Sequence, residues 1–211
     1  MPDSKIGPII GVILAGGRAL RMGGGDKGLQ LVGGKTILAR VIERVRPQVD
    51  ALVLNANGDP ARFASYGLPI APDTIPDFAG PLAGVLAGLD WAAVHRAQAR
   101  YIVTVPADGP FVPLDLVWRL ADALTAEDAE LATAASGVQT YPVVGLWPVS
   151  LRQALRDALV KEDLHKVDAW TARFRRAVAA FPTEPIDPFF NANTPEQLAE
   201  AEQLAALHPA I

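Results

Sequence analysis

The chain of 211 residues contains no cysteine, which excludes a disulfide framework, a thiolate metal site and a cysteine nucleophile. Histidine occurs only three times, at positions without ligand spacing, so neither an imidazole metal cage nor a histidine base is indicated. The four tryptophans are equally scattered and read as packing or surface. Apolar runs reach about six residues, far short of the ~20 that a membrane-spanning helix needs. Met1-Pro2-Asp3-Ser4-Lys5 lacks the basic start and apolar centre of a secretory signal, and a cytoplasmic location is expected. A formal charge of −4 lacks the positive excess of a nucleic-acid binder. It still allows a local basic cluster to hold a small anion.

What remains is a chain with 50% hydrophobic residues, enough for one well-packed domain over 1–211. Its focus is Val12 to Lys27, V-I-L-A-G-G-R-A-L-R-M-G-G-G-D-K. Ile9, Ile10, Val12, Ile13 and Leu14 predict a strand buried on both faces. At Ala15-Gly16-Gly17 the side chains nearly vanish, so backbone N–H groups can approach a ligand. Arg18, Arg21 and Lys27 follow, offset by Asp26 alone. A strand running into a glycine loop with cations describes a polyphosphate site; a solvated glycine turn with incidental charges is the competing reading. The dinucleotide fingerprint fails because Arg18 stands where its second glycine is needed. The Walker A loop fails because Leu29 stands where its first glycine is needed, although Gly34-Lys35-Thr36 matches its end. Gly33-Gly34 reads instead as a tight turn, with Thr36 capping the next helix.

Ile37, Val41 and Val45 predict an amphipathic helix ending near Pro47, and Ala51–Leu54 a second buried strand ending in Asn55-Ala56-Asn57-Gly58. Asparagines there make ordinary turns, but this sheet edge is also where ligands bind. A short strand at Pro69–Ala71 precedes Asp73, which could simply cap a turn. Small residues through Gly80, Ala83, Gly84, Ala87 and Gly88 predict a helix, Leu82 to about Val94, packed closely on a flat surface. Tyr101–Val105 is the next strand, closed by Pro106-Ala107-Asp108-Gly109-Pro110. That sequence is a good turn, and it also fixes a carboxylate at a strand end where a Mg²⁺ ligand would sit. Leu116, Leu120 and Leu124 predict a helix, Glu130–Ala135 a weak strand, Tyr141–Trp147 a strand, and Leu151, Leu155 and Leu159 a helix. Thr194-Pro195 with Gln197 gives a capping box for a last helix, Leu198 to about Leu207.

Strands alternating with helices predict an α/β fold: three-layer α/β/α, with a mostly parallel mixed sheet and a Rossmann-like N-terminal half. The chain is expected to divide into a half over about 9–108, which holds the phosphate-type loop, and a half over about 109–207.

Five motifs in order carry a resemblance. They are Leu14-Ala15-Gly16-Gly17 with Arg21-Met22-Gly23-Gly24 and Asp26-Lys27-Gly28; Val53 to Asn57; Pro76 to Gly84; Pro106-Ala107-Asp108; and Asn191 to Glu196. Together they resemble the molybdenum cofactor guanylyltransferases, within the wider nucleotidyltransferases, over essentially the whole chain.

The resemblance implies transfer of GMP from GTP to molybdopterin or Mo-molybdopterin, releasing pyrophosphate, with Mg²⁺ as cofactor. Arg21, Lys27 and Asp108 become the catalytic candidates. Leu14, Ala15, Gly16, Gly17, Lys27, Asn55, Asp73 and Asp108 become the GTP-binding candidates, and Asp108 and Asn193 the metal candidates. Asp26 is read as fixing the loop by pairing with a nearby cation. Partners implied are GTP, molybdopterin, and proteins of molybdenum insertion and molybdoenzyme maturation. The acceptor's terminal phosphate is already ionised, so no protein base is required. Tyr141-Pro142 departs from the family's His-Pro, and His165-Lys166-Val167 keeps only part of a basic pair; both lie toward the pterin end. The alternatives are a related transferase using CTP, UTP or a sugar-phosphate acceptor, a non-catalytic nucleotide-binding regulator, and a P-loop NTPase.

Overall fold

The computed structural model describes residues 6–16, 26–75 and 80–209. The first half runs β1 (Ile9–Leu14), a 3-10 turn at Lys27–Leu29, a small hairpin of β2 (Leu31–Val32) and β3 (Lys35–Thr36), and α1 (Ile37–Val45). It continues through β4 (Ala51–Asn55), a 3-10 segment Pro60–Tyr66, β5 (Ile70–Ala71), α2 (Pro81–His95) and β6 (Tyr101–Pro106). The second half holds α3 (Leu116–Ala126), β7 (Leu131–Ser136), β8 (Gln139–Pro148), α4 (Arg152–Lys161), α5 (Val167–Thr171), β9 (Arg176–Phe181) and α6 (Pro195–Leu207).

Seven strands form one sheet in the order β5-β4-β1-β6-β8-β7-β9. The pairs β1–β4, β1–β6, β4–β5 and β7–β9 are parallel, while β6–β8 and β7–β8 are antiparallel. The expected mostly parallel mixed sheet is therefore present. Helices α1, α3 and α6 cover one face, where Ile37, Val41, Leu116, Leu120 and Ala201 join the core. Helices α2, α4 and α5 cover the other, with Leu82, Leu86, Leu155 and Trp170. These are the three layers expected from the sequence.

Local chemistry explains the element ends. Thr36 accepts from the Ala39 N–H at 3.1 Å and so caps α1, after a Gly33-Gly34 turn that requires positive φ at both residues. Helix α2 can lie close to the sheet because it presents glycine. A Cβ on Gly88 would strike Val12, one of the central β1 residues. Thr194 caps α6 by accepting from the Gln197 N–H at 3.2 Å. The return half of that box differs from the ordinary pattern, because Gln197 Oε1 accepts from the N–H of Asn193, one residue before the cap, at 2.9 Å.

Three elements were not anticipated: the β2–β3 hairpin, α5, and the edge strand β9. The strands of the hairpin are two residues each, too short to show alternation. In β9, the inward residues Ala177, Ala179 and Phe181 alternate with outward ones, but two of the three are alanine and contribute little hydrophobic contrast.

Candidate active site

Parallel register brings the candidate residues together. Leu14 aligns with Asn55 on one side and with Pro106 on the other, and Asn55 aligns with Ala71. The segments after β1, β4, β5 and β6 therefore leave the sheet along a single edge, although they lie up to about 90 residues apart in sequence. The chain goes outward from β1 through β4 and β5, then returns to place β6 on the other side of β1. Such a switch in strand order opens a crevice at the carboxyl ends of the strands, where ligands bind in open α/β sheets.

On one side of the crevice lies a polar network. Asn55, only 2% exposed, donates from Nδ2 to the Ala71 carbonyl at 3.0 Å and to Asp73 Oδ1 at 2.8 Å. Asn57 donates to Asp73 Oδ2 at 2.7 Å, and its own Oδ1 accepts from the Asp73 N–H at 2.9 Å. The Asp73 carboxylate is held at both oxygens. A Cβ on Gly16 would come within 3.1 Å of Asn55 Oδ1 and Asn57 Nδ2, and one on Gly84 would strike Asn55 Oδ1. The network thus leaves no room for a side chain at Gly84, and room at Gly16 only if the asparagines give by a few tenths of an ångström. Ala15 donates its N–H to the Asn55 carbonyl at 2.8 Å, and Leu14 accepts from the Ala107 N–H at 3.0 Å. The sheet ladder runs one residue past β1 and takes up the N–H of Ala15, so that amide is already engaged and not open to a ligand.

On the other side lie Lys27, Asp108 and Asn193. Lys27 Nζ donates to Asn193 Oδ1 at 2.6 Å. Asp108 accepts from the Ala192 N–H through its backbone carbonyl at 3.1 Å, stitching the segment before α6 to the end of β6. Gly28 packs against Ala107, whose carbonyl oxygen would be 3.1 Å from an added Cβ, so the residue after Lys27 has to be small. Burial pushes the Asp108 carboxyl above the ordinary carboxylate range, and the nearby Lys27 ammonium pulls it part of the way back. Asp26 pairs with Arg62 at 2.7 Å. The expected cation is present, although it comes from a distant segment.

Asp108 carries a carboxylate and Asn193 an amide oxygen, donor types that suit a hard cation, although the amide oxygen already accepts from the Lys27 ammonium, so an ion held there would share or displace that contact. Two such donors are too few for an all-protein cage and would suit an ion that completes its shell with phosphate and water. The incompletely compensated charge of the half-buried Asp108 is what such an ion would offset. Among the described residues, no group of three or more His, Cys, Asp or Glu forms a competing metal cage.

Arg21, Gly17 and the first part of the Pro76–Gly84 motif lie outside the described residues. Leu14, Ala15, Gly16, Lys27, Asn55, Asp73, Asp108 and Asn193 all converge on the one edge. Asn57 and Arg62 were missed as candidates. The first stands two residues after Asn55 in the same strand-end motif, which was signal enough; the second carries no signal in its own segment. Tyr141 donates to Asp187 Oδ2 at 2.8 Å, and its ring lies 4.8 Å from that of Phe189. Burial first, and then the hydrogen bond to the Asp187 carboxylate and its charge, push the phenol up to about 12. Among the described residues, no helix is long and apolar enough to cross a membrane.

The model of the MobA-like NTP transferase domain matches residues 11–178. A molybdenum cofactor guanylyltransferase of Bradyrhizobium sp. (strain ORS 278) is 59% identical over 207 residues, covering 98% of each chain. The solved structure of molybdopterin-guanine dinucleotide biosynthesis protein A from Archaeoglobus fulgidus superposes with a TM-score of 0.72 at 20% identity, covering 94% of this chain and 99% of that one. A Mycobacterium tuberculosis H37Rv protein solved in complex with manganese superposes at 0.65 and 18% identity, over 93% and 98%. At these identities the two structures speak for the fold.

Proposed function

The chain belongs to the molybdenum cofactor guanylyltransferases, within the MobA-like NTP transferase domain family, and from that premise we propose that it transfers GMP from GTP to the terminal phosphate of molybdopterin. The products are pyrophosphate and the guanine dinucleotide form of the cofactor. The observation that carries this reading is the convergence of Lys27, Asp108 and Asn193 on the same sheet edge as the Asn55–Asn57–Asp73 network.

In this reading the Lys27 ammonium contacts the triphosphate, with Arg21 as a further candidate cation for it. The locked Asp73 carboxylate, held by Asn55 and Asn57, lines the nucleoside side of the crevice. Asp108 and Asn193 would hold a divalent cation, Mg²⁺ in this proposal, which when bound would offset charge on the phosphate oxygens. The attacking phosphate is already an anion, so the protein's task is positioning and charge neutralisation rather than proton abstraction. The segment 109–207 would receive the pterin.

The test is pyrophosphate release with purified protein and Mg²⁺. Release should need both GTP and molybdopterin, and should fall by as much as ~10⁴-fold when CTP or UTP replaces GTP, because the wrong base leaves buried polar groups unpaired. Release without an acceptor, or equal turnover with CTP, would overturn the reading.

A further inference from the structure

Arg62 lies outside every motif that carries the family resemblance, in the 3-10 segment Pro60–Tyr66. Its guanidinium nevertheless spends its donors on three separate positions. Nε donates to the Asp59 carbonyl at 3.0 Å. Nη1 donates to both oxygens of Asp26, at 3.0 and 2.7 Å. Nη2 donates to the carbonyl of Asn57.

These positions matter because of what adjoins them. Asp26 directly precedes Lys27, and Asn57 is the residue that grips Asp73 from two sides. One planar group thus ties the segment bearing the phosphate-facing cation to the network on the nucleoside side. Asp26 also presents a difficulty for binding an anion. Its side chain is largely sheltered, with 16% exposure, and its carboxylate stands next to the proposed triphosphate site. Left uncompensated it would repel that ligand, and in a sheltered position, at a lower effective dielectric than bulk water, the repulsion is stronger than between fully exposed charges.

Resting on the GTP reading above, we propose that Arg62 is a positioning residue for the nucleotide. It cancels the charge of Asp26 beside the triphosphate and clamps the Lys27 segment to the Asn57–Asp73 network. A lysine would keep the charge but could not serve three acceptors in one plane.

The experiment is calorimetric titration of Mg²⁺-GTP into the wild-type protein and the variants Arg62→Ala, Arg62→Lys and Arg62→Ala/Asp26→Asn. It is run at about 0.1 M and about 0.5 M salt, where the Debye length falls by roughly half, with melting curves as a check of folding. Arg62→Ala should bind GTP about 10-fold more weakly at low salt and less so at high salt, and Arg62→Lys should fall between it and the wild type. Adding Asp26→Asn should recover most of the loss. A merely structural clamp would not be rescued that way, since the second change removes the other half of the contact. A folded Arg62→Ala binding within twofold of the wild type overturns the inference, as does a double variant no better than the single one. Should Arg62→Ala fail to fold, Arg62→Lys binding within twofold overturns it equally. A wild-type protein that binds no GTP refutes the proposed function instead, which separates the two failures.

Discussion

Lys27 and Asn193 are 166 residues apart, and the lysine ammonium donates to the asparagine side-chain oxygen at 2.6 Å. That contact links the Lys27 segment to the end of β6, because the residue next to Asn193, Ala192, donates its N–H to the Asp108 carbonyl. It also sets the charge balance there, since the same ammonium restrains the upward shift of the Asp108 carboxyl.

Lys27→Ala should weaken GTP binding by about 10- to 100-fold, the equivalent of a charge-assisted hydrogen bond worth ~1.5–3 kcal/mol. Its melting temperature without ligand should change little, because Lys27 is only half-buried and contributes mainly to the ligand. Titration calorimetry beside a melting curve checks both; unchanged affinity in a folded variant removes Lys27 from the site.

Asp108→Asn keeps the shape and an accepting oxygen and removes the charge. Turnover should fall on the order of 10²–10³, the usual cost of losing a preorganised electrostatic contact. Higher Mg²⁺, or Mn²⁺ in its place, should restore part of it. Activity within threefold of the wild type would make Asp108 no more than the start of a turn.

The same variant should show a pH-dependent gain in stability without ligand. Folding raises the Asp108 carboxyl above its unfolded value, so the folded state favours the protonated form. The ionised form then costs stability as pH rises from about 4, the ordinary carboxylate value, through the raised folded value, and that cost persists at neutral pH. Asparagine carries no such cost. Asp108→Asn should melt at or above the wild type at pH 7, with the difference closing in acid. A neutral-pH melting point clearly below the wild type would contradict the assigned burial.

Gly84→Ala should destabilise the fold despite alanine's better helix propensity, worth ~1 kcal/mol. The added methyl would meet Asn55, locked by two hydrogen bonds, and Leu14 Cδ2 at 2.9 Å. Overpacking costs ~1–3 kcal/mol, so after the propensity gain a net loss of up to about 2 kcal/mol is expected, read as a fall of up to several degrees in melting temperature. GTP affinity should fall with it, because Asn55 orients Asp73. A variant as stable as the wild type would show that the network yields.

Much of this was legible in the chain. The runs of β1, β4 and β6 are apolar and bounded by turns, α1 has a clear period, and Thr36 and Thr194 announce their helices by capping chemistry. These signals are local, and local periodicity survives in a single sequence. The strand-end positions of Asn55 and Asp108 could be read for a related reason, while the family resemblance tipped Asn55 toward the nucleotide and alone supplied Asp73. In a parallel sheet every strand points the same way, so residues that follow a strand reach the ligand edge whatever lies between them.

What the sequence by itself determined, then, is the alternation of elements, the direction in which their ends face, and a set of polar residues at those ends. The tertiary structure decided which of them touch. It spent the N–H of Ala15 on the sheet and made Asn55 the buried support of Asp73. It brought Asn193 to Lys27, and it recruited Arg62 across 36 residues to neutralise Asp26. Each of these contacts depends on strand order and on the close approach that Gly16, Gly28 and Gly84 permit. Pairings between segments remote in sequence leave no period or spacing along the chain, so only the folded arrangement can specify them.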